Sequence, residues 1–149
     1  MSEHHASIVW QRTSQDYTYQ TYNRAHEWRF TAATVPASSS KEYRGEPERV
    51  NPEEALVAAL SSCHMLTFLA IAAKRKVSLD SNSDDAVGVM EKNEAGRLAV
   101  TRVTLRPKIV WSAGVTVSPE DLDKMHHEAH EGCFIANSVT TKVTVEQQA

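Results

Sequence analysis

Cysteine is scarce in this sequence: 149 residues contain only two, Cys63 and Cys133. So few cysteines exclude the disulfide-rich framework of small secreted domains. The N-terminal residues MSEHHASIVWQRTSQ lack the basic segment and apolar stretch of a signal peptide. We therefore expect a cytoplasmic protein whose cysteines are either small buried residues or a transient, catalytic pair.

Blocks of positive charge are also lacking. The chain has 16 Lys and Arg against 19 Asp and Glu, a net charge of −3, and its only basic cluster is residues 74–76. This balance argues against a nucleic-acid partner. The sequence shows no internal repeat, and its length suits one domain, residues 1–149. We expect no resident cofactor.

The longest apolar stretch lies within residues 51–76 and predicts a helix with a well-marked start. Asn51 is a suitable N-cap, Pro52 fits the first helical position, and Glu54 completes the spacing of a capping box. The helix is expected to run to Lys74 or Lys76, which gives a length of about 36 Å.

The apolar part of this helix, residues 55–73, is nearly long enough to cross a membrane. It is interrupted, however, by polar and small side chains: Ser61, Ser62, Cys63, His64 and Thr67. We therefore predict a helix of a soluble protein that is buried nearly all round. Because one small domain rarely surrounds so long a helix, the sequence favours a symmetric homodimer.

The remaining patterns predict an α+β fold. Strands are expected at 6–12, within 16–31, at 86–92, at 97–111 and at 138–146. A hairpin turn is expected between the third and fourth of these, and a second helix from Ser118 to Gly132. We expect residues 35–50 to form a long loop and residues 78–85 an acidic turn.

Cys63 is the candidate nucleophile, and a nucleophilic thiol needs a group that lowers its pKa. An arginine held by a carboxylate would serve, and Glu53, Arg44 and Arg49 are the nearest candidates in sequence. Ten residues of continuous helix separate Glu53 from Cys63 by about 15 Å, so they meet only if a second chain brings its Glu53 close. The alternative is that Glu53 is a helix-start residue and both arginines are solvated.

Three residues of the second helix, His126, His130 and Cys133, are spaced to share one helical face. Together with Cys63 and His64 they form a possible zinc ligand set. The spacing HxxxHxxC is not a strong zinc signature, and a solvated histidine-rich face explains it as well. His64, alone on an apolar helix, is most simply a core histidine.

These residues together resemble the osmotically inducible protein C / organic hydroperoxide resistance family (OsmC/Ohr). The resemblance rests on the string NPEE at 51–54, Cys63 ten residues after Glu53, and Cys133 followed by FIANS before a last strand. It covers about residues 26–146. It implies an intertwined homodimer in which curved antiparallel β-sheets wrap around long central helices.

The resemblance also implies an activity. Family members reduce peroxides, so Cys63 is expected to be the peroxidatic residue and Cys133 the resolving one, with Glu53 orienting an arginine. A lipoyl-type or small-thiol reductant would regenerate the pair. The arginine does not match the family spacing cleanly, and Arg44 is the first candidate, followed by Arg49 and Arg29. The alternative is a non-enzymatic, stress-related dimer that binds a small ligand or a metal in the same cleft.

Overall fold

In a computed structural model that describes residues 1–149, the chain divides into two compact units, residues 1–55 and 56–149. Together they contain eight strands and two α-helices. The first unit holds strands β1 (Ser7–Val9), β2 (His26–Arg29) and β3 (Thr34–Ala37), which form one antiparallel sheet in that order. The α+β class predicted from the sequence is confirmed.

The long connection between β1 and β2 is not strand, although part of it was expected to be. Residues 10–25 form bends and turns that are held by Asn23. Its side-chain amide donates to the carbonyl of Gln11, and its side-chain oxygen accepts from the backbone of Thr13, each at 2.8 Å. These tyrosine-rich residues therefore contact each other instead of pairing in a sheet.

Helix α1 spans Pro52–Lys74, with the start that the sequence predicts. The side-chain oxygen of Asn51 accepts from the backbone N–H of Glu54 at 2.9 Å, and its amide donates to the Glu54 carboxylate at 3.1 Å. The first contact pairs a backbone N–H that a helix terminus otherwise leaves unpaired, and the second holds the Asn51 side chain in position for it. The residues before α1 form a short 3-10 turn, Lys41–Tyr43, and Val50 bridges to Ala37 of β3.

Only one stripe of α1 is buried within the chain. Its members recur every four residues, which places them on one helical face: Leu60, His64, Phe68 and Ala72. Leu66, on another face, is 60% exposed. The prediction of burial nearly all round is therefore not met by a single chain. By length and composition α1 could span a membrane, but a core helix passes the same test, and its buried stripe packs in the core.

The second unit contains two sheets. Strands β4 (Leu79–Asp84) and β7 (Pro107–Trp111) form an antiparallel pair. Strands β5 (Val87–Lys92), β6 (Leu98–Leu105) and β8 (Lys142–Val145) form the other sheet, in which β5 and β6 are antiparallel and β6 and β8 parallel. The hairpin and the last strand are confirmed, although β8 is shorter than predicted.

The prediction of a turn at 78–85 is wrong, because these polar residues form β4. Asp84 shows why: one carboxylate oxygen accepts from the hydroxyl of Ser61 on α1, and the other accepts from the backbone N–H of Arg106 at 2.6 Å. Pairing with β7 and these contacts stabilise a strand that local propensity disfavours.

Two apolar clusters form the core of the second unit. One contains Phe68 and Ala72 of α1 with Met125 and Ala129 of helix α2, which spans Pro119–Gly132. The other joins Leu60 to two residues of β6, Val103 and Leu105. Helix α2 begins as predicted, with the Ser118 hydroxyl accepting from the backbone of Asp121 at 3.1 Å.

Candidate functional site

The two cysteines, 70 residues apart in sequence, meet where α1 passes the end of α2. Cys133 is the residue that ends α2 and is only 1% exposed, whereas Cys63 is half-buried in the middle of α1. The two side chains are near enough for Cys63 to raise the pKa of the Cys133 thiol, and both cysteines are free thiols. The structure thus brings together the two sulfurs singled out in the sequence, while their chemical roles remain predictions.

The surroundings distinguish the two thiols. Burial raises the pKa of the Cys133 thiol, and the neighbouring Cys63 raises it further, against the lowering effect of the Ala136 backbone N–H, which donates to the sulfur at 3.4 Å. Cys133 is therefore protonated at neutral pH and poorly suited to attack first. Of the pair, the more exposed Cys63 is the better candidate for a nucleophile that reacts with a substrate from solvent.

A missing side chain allows the two helices to come this close. A Cβ atom placed on Gly132 would lie 3.1 Å from the Cγ2 methyl of Thr67 on α1. The Thr67 hydroxyl donates to the carbonyl of Cys63 at 2.9 Å, so its methyl is held in place. Glycine at 132 thus brings the end of α2 against α1 one turn away from Cys63.

Beside the thiols lies a chain of polar side chains in the core. His64 Nε2 is 3.1 Å from His126 Nδ1, and His126 Nε2 is 2.8 Å from the side-chain oxygen of Gln147. The two imidazoles are 4% and 5% exposed, and the ring of Phe68 stacks on His126 with centroids 4.6 Å apart. His64 is therefore a core histidine, as its position on an apolar helix suggests.

The amide of Gln147 determines where the protons of this chain lie. Its nitrogen donates to the carbonyl of Gln148 at 2.8 Å, so its oxygen faces His126 and only accepts. His126 must then donate from Nε2 and accept at Nδ1, and His64 must donate from Nε2. That leaves Nδ1 of His64 as an unprotonated nitrogen, buried and without a partner.

Protonation of this chain is strongly disfavoured. Burial, aided by repulsion from His126 and His130 and opposed by Asp84, lowers the pKa of His64 from 6.5 to about 4. Burial also lowers the pKa of His126, although the Gln147 contact and Asp123 oppose this. Both imidazoles are therefore neutral near pH 7.

The histidines and cysteines do not assemble into a metal site in this chain. No group of three or more His, Cys, Asp or Glu side chains has metal-binding geometry. His64 and His126 bond to each other, and His127, which is exposed, lies 3.2 Å from the Glu131 carboxylate. The zinc set considered from the sequence is thus not formed by these residues within one chain.

Glu53 lies on the first turn of α1 and forms no ion pair within the chain. The helix is unbroken from Pro52 to Lys74, so about 15 Å of helix separates Glu53 from Cys63, as expected. The structure therefore does not bring these two residues together in one chain.

The three candidate arginines differ in how they are engaged. Arg49 is ion-paired with Glu46 at 2.7 Å, and Arg29 with Glu27 at 3.2 Å. Arg44 is exposed, has a positive φ of 64°, and has no carboxylate partner; its guanidinium lies 5.7 Å from the Tyr19 ring centre. Of the three, Arg44 is therefore the one whose charge is free to engage another group.

Two features of the structure were missed in the sequence. The His64–His126–Gln147 chain had a usable signal, because His126 follows Met125 and lies four residues after Leu122 on the apolar side of α2. The guanidinium carbon of Arg24 lies 3.6 Å from the centre of the Tyr22 ring. For this residue the sequence offered no signal beyond the aromatic residues nearby.

Comparison with known proteins identifies the family. A family model described as OsmC-like protein matches residues 45–148. The chain belongs to the OsmC-like family. An OsmC-like protein of unknown function from Vibrio cholerae has 47% sequence identity to this OsmC-like chain, with a TM-score of 0.94, 99% of this chain covered and 100% of the other. No curated protein sequence matches this chain.

More distant structures share the OsmC-like fold. An organic hydroperoxide resistance protein OsmC from Legionella pneumophila is 18% identical, with a TM-score of 0.68 and coverage of 95% of this chain and 98% of the other. The organic hydroperoxide resistance protein OhrB of Bacillus subtilis is 16% identical, with a TM-score of 0.68 and coverage of 97% and 98%. At these identities the likeness concerns the fold alone.

Proposed function

We propose that this protein is a thiol-dependent peroxidase that reduces organic hydroperoxides or hydrogen peroxide with the pair Cys63 and Cys133. The observation that carries the proposal is that one half-buried and one buried thiol, both free, lie near enough for one to raise the pKa of the other, in a chain with no other cysteine. Membership of a family that includes organic hydroperoxide resistance proteins supports the same activity.

The proposed reaction has two steps within the protein. The Cys63 thiolate attacks one peroxide oxygen, the O–O bond breaks, and the leaving oxygen takes a proton to become alcohol or water; Cys63 becomes a sulfenic acid. Cys133 then attacks the Cys63 sulfur, its thiol proton leaves with the hydroxyl group as water, and a disulfide forms. A dithiol, of lipoyl type or a small thiol, reduces the disulfide and restores both thiols.

We propose that a homodimer completes the site. The exposed apolar face of α1 would be covered by a second copy, which would bring its Glu53 toward Cys63. Glu53, unpaired within its own chain, would orient Arg44, and the guanidinium would lower the pKa of the Cys63 thiol. The free charge of Arg44 supports this choice over Arg29 and Arg49. A reducing cytoplasm would supply the thiol donor.

Replacing Cys133 by serine tests the two-cysteine reaction. After one equivalent of cumene hydroperoxide, the variant is expected to accumulate Cys63 sulfenic acid, because no thiol remains to resolve it. Labelling with dimedone followed by mass spectrometry would detect the adduct on Cys63. The wild type, treated in the same way, should give the disulfide and little adduct.

Two results would contradict the proposal. One is an unlabelled Cys63 in the serine variant together with unconsumed peroxide. The other is a wild type that consumes neither cumene hydroperoxide nor hydrogen peroxide with dihydrolipoamide or dithiothreitol as donor. Either would favour the non-enzymatic binding module in place of the enzyme.

Leu66→Glu tests the dimer. The wild type is expected to have twice the 16.6 kDa chain mass in light scattering, and the variant the mass of one chain, because a charge would enter a desolvated interface. Leu98→Glu is a matched control, since Leu98 is 57% exposed against 60% for Leu66. A wild type of single-chain mass at micromolar concentration would rule out the shared site.

A further inference from the structure

The first unit contains a pocket that plays no part in the thiol chemistry proposed above. It occupies about 310 Å³ between the β1–β2 connection and the residues that follow β3. Its walls include three aromatic residues, Trp10, Tyr17 and Tyr22, together with Arg24 and Ser38. This volume lies within the range of small-molecule sites.

The aromatic walls are held in a fixed arrangement. Trp10 donates its indole N–H to the carbonyl of Asn23 at 2.8 Å. Tyr17 stacks on Tyr22 with ring centroids 5.2 Å apart, and Trp10 meets Tyr17 edge-on at 6.3 Å. A flat ring entering the pocket therefore finds aromatic surfaces that need little rearrangement.

Arg24 supplies the positive charge of the pocket. Its guanidinium lies 3.6 Å from the Tyr22 ring centre and donates to the backbone carbonyls of Tyr22 and Tyr19. Two of its five N–H groups are used in this way, and no carboxylate pairs with it. The remaining N–H groups are held in place by the stacking and are available to an acceptor.

Asn23, His26 and Ser38, which also line the pocket, are engaged in hydrogen bonds within the protein. The side-chain oxygen of Asn23 accepts from the backbone N–H of Thr13, and its amide donates to backbone carbonyls. Both ring nitrogens of His26 are hydrogen-bonded, one to the carbonyl of Arg24 and the other to the indole N–H of Trp28. Ser38 is fully buried, and its hydroxyl oxygen accepts from the backbone N–H of Glu46.

We propose that this pocket binds a small aromatic carboxylate. The unused N–H groups of Arg24, its positive charge and the lack of an acidic residue in the wall favour an anionic acceptor, and the rings favour a planar apolar body. The carboxylate would bond to the free N–H groups of Arg24, and the ring would lie against Tyr17 and Trp10. This site is separate from the peroxidase proposal and stands or falls independently of it.

Calorimetric titration with 3-phenylpropanoate and its neutral amide, 3-phenylpropanamide, tests the charge requirement. The acid is expected to bind at least about ten-fold more tightly, because its hydrogen bonds are charge-assisted. In amide-proton NMR spectra, the indole signal of Trp10 is expected to shift with the acid at the same midpoint. Equal affinities for acid and amide, or no binding of either at millimolar concentration, would overturn the proposal.

Variants locate the site. Arg24→Gln is expected to weaken binding of the acid about ten-fold or more while leaving the amide unchanged. Arg29→Gln, at an exposed arginine on β2, is the matched control and should bind normally. Should Arg24→Gln fail to fold, as seen by circular dichroism, Tyr17→Ala keeps the arginine, removes an exposed ring of the wall, and is expected to lose several-fold in affinity. Unchanged affinity in either folded variant would reject the pocket as the binding site.

Discussion

Cys63→Ser is expected to abolish peroxide consumption, with a fall in turnover of at least about 10³-fold. The physical reason is that a serine hydroxyl is not ionised at neutral pH and cannot stand in for a thiolate that attacks an O–O bond. Large losses of this size are typical when a nucleophile is removed. The measurement is the loss of cumene hydroperoxide with dihydrolipoamide as donor, under conditions in which the wild type turns over many times.

Ser62→Ala is the matched control for this experiment. Ser62 is the exposed neighbour of Cys63 on the same turn of α1, so the substitution perturbs the same stretch of helix without touching the sulfur. Its turnover should remain within about two-fold of the wild type. Activity retained in Cys63→Ser with the fold intact would assign the chemistry to another group.

Acidification is expected to destabilise the fold through His64. Its pKa falls from 6.5 to about 4 on folding, so below pH 6.5 the unfolded state binds a proton that the folded state resists. The contribution of His64 to the free energy of unfolding is thus fully present above pH 6.5. It declines as the pH falls to 4, by up to about 3 kcal/mol. His126, whose pKa is also lowered by burial, acts in the same direction.

Guanidinium denaturation at pH 7, 5.5 and 4 measures this decline. In His64→Gln the side-chain amide can still donate toward His126 but does not titrate, so the slope between pH 6.5 and 4 should be clearly smaller. His127→Gln is the control, because His127 is exposed and should leave the slope unchanged. A wild-type slope that survives in His64→Gln would show that other groups are responsible.

The helices could be predicted from the sequence because their ends are marked locally. Asn51 and Pro52 fix the start of α1, and Ser118 and Gly132 delimit α2, through contacts within a few residues. The strand β4 could not be predicted, because its polar residues become a strand only through pairing with β7, more than twenty residues away. The single strand predicted at 97–111 is likewise divided at Arg106. Before this residue β6 pairs with β5, and after it β7 pairs with β4.

In the candidate site, too, some features could be predicted from the sequence and others could not. Both cysteines could be singled out because the sequence has no others. The partner of His64 could not be assigned, since His126 lies 62 positions away and the amide that directs both imidazoles lies on a third segment. Arg24 could not be singled out from the sequence either, because the pocket that it lines is formed by the turns of residues 10–25.

Beside the two cysteines, the end of α2 approaches α1 at a residue that has no Cβ atom. Position 132 carries only hydrogen where any other residue would place a carbon 3.1 Å from the Thr67 methyl. Even one added methyl group would require the Thr67 methyl or the end of α2 to shift by a few tenths of an ångström, without altering either thiol. Evolution or engineering could thus tune how readily the pair closes into a disulfide from a position with no chemistry of its own.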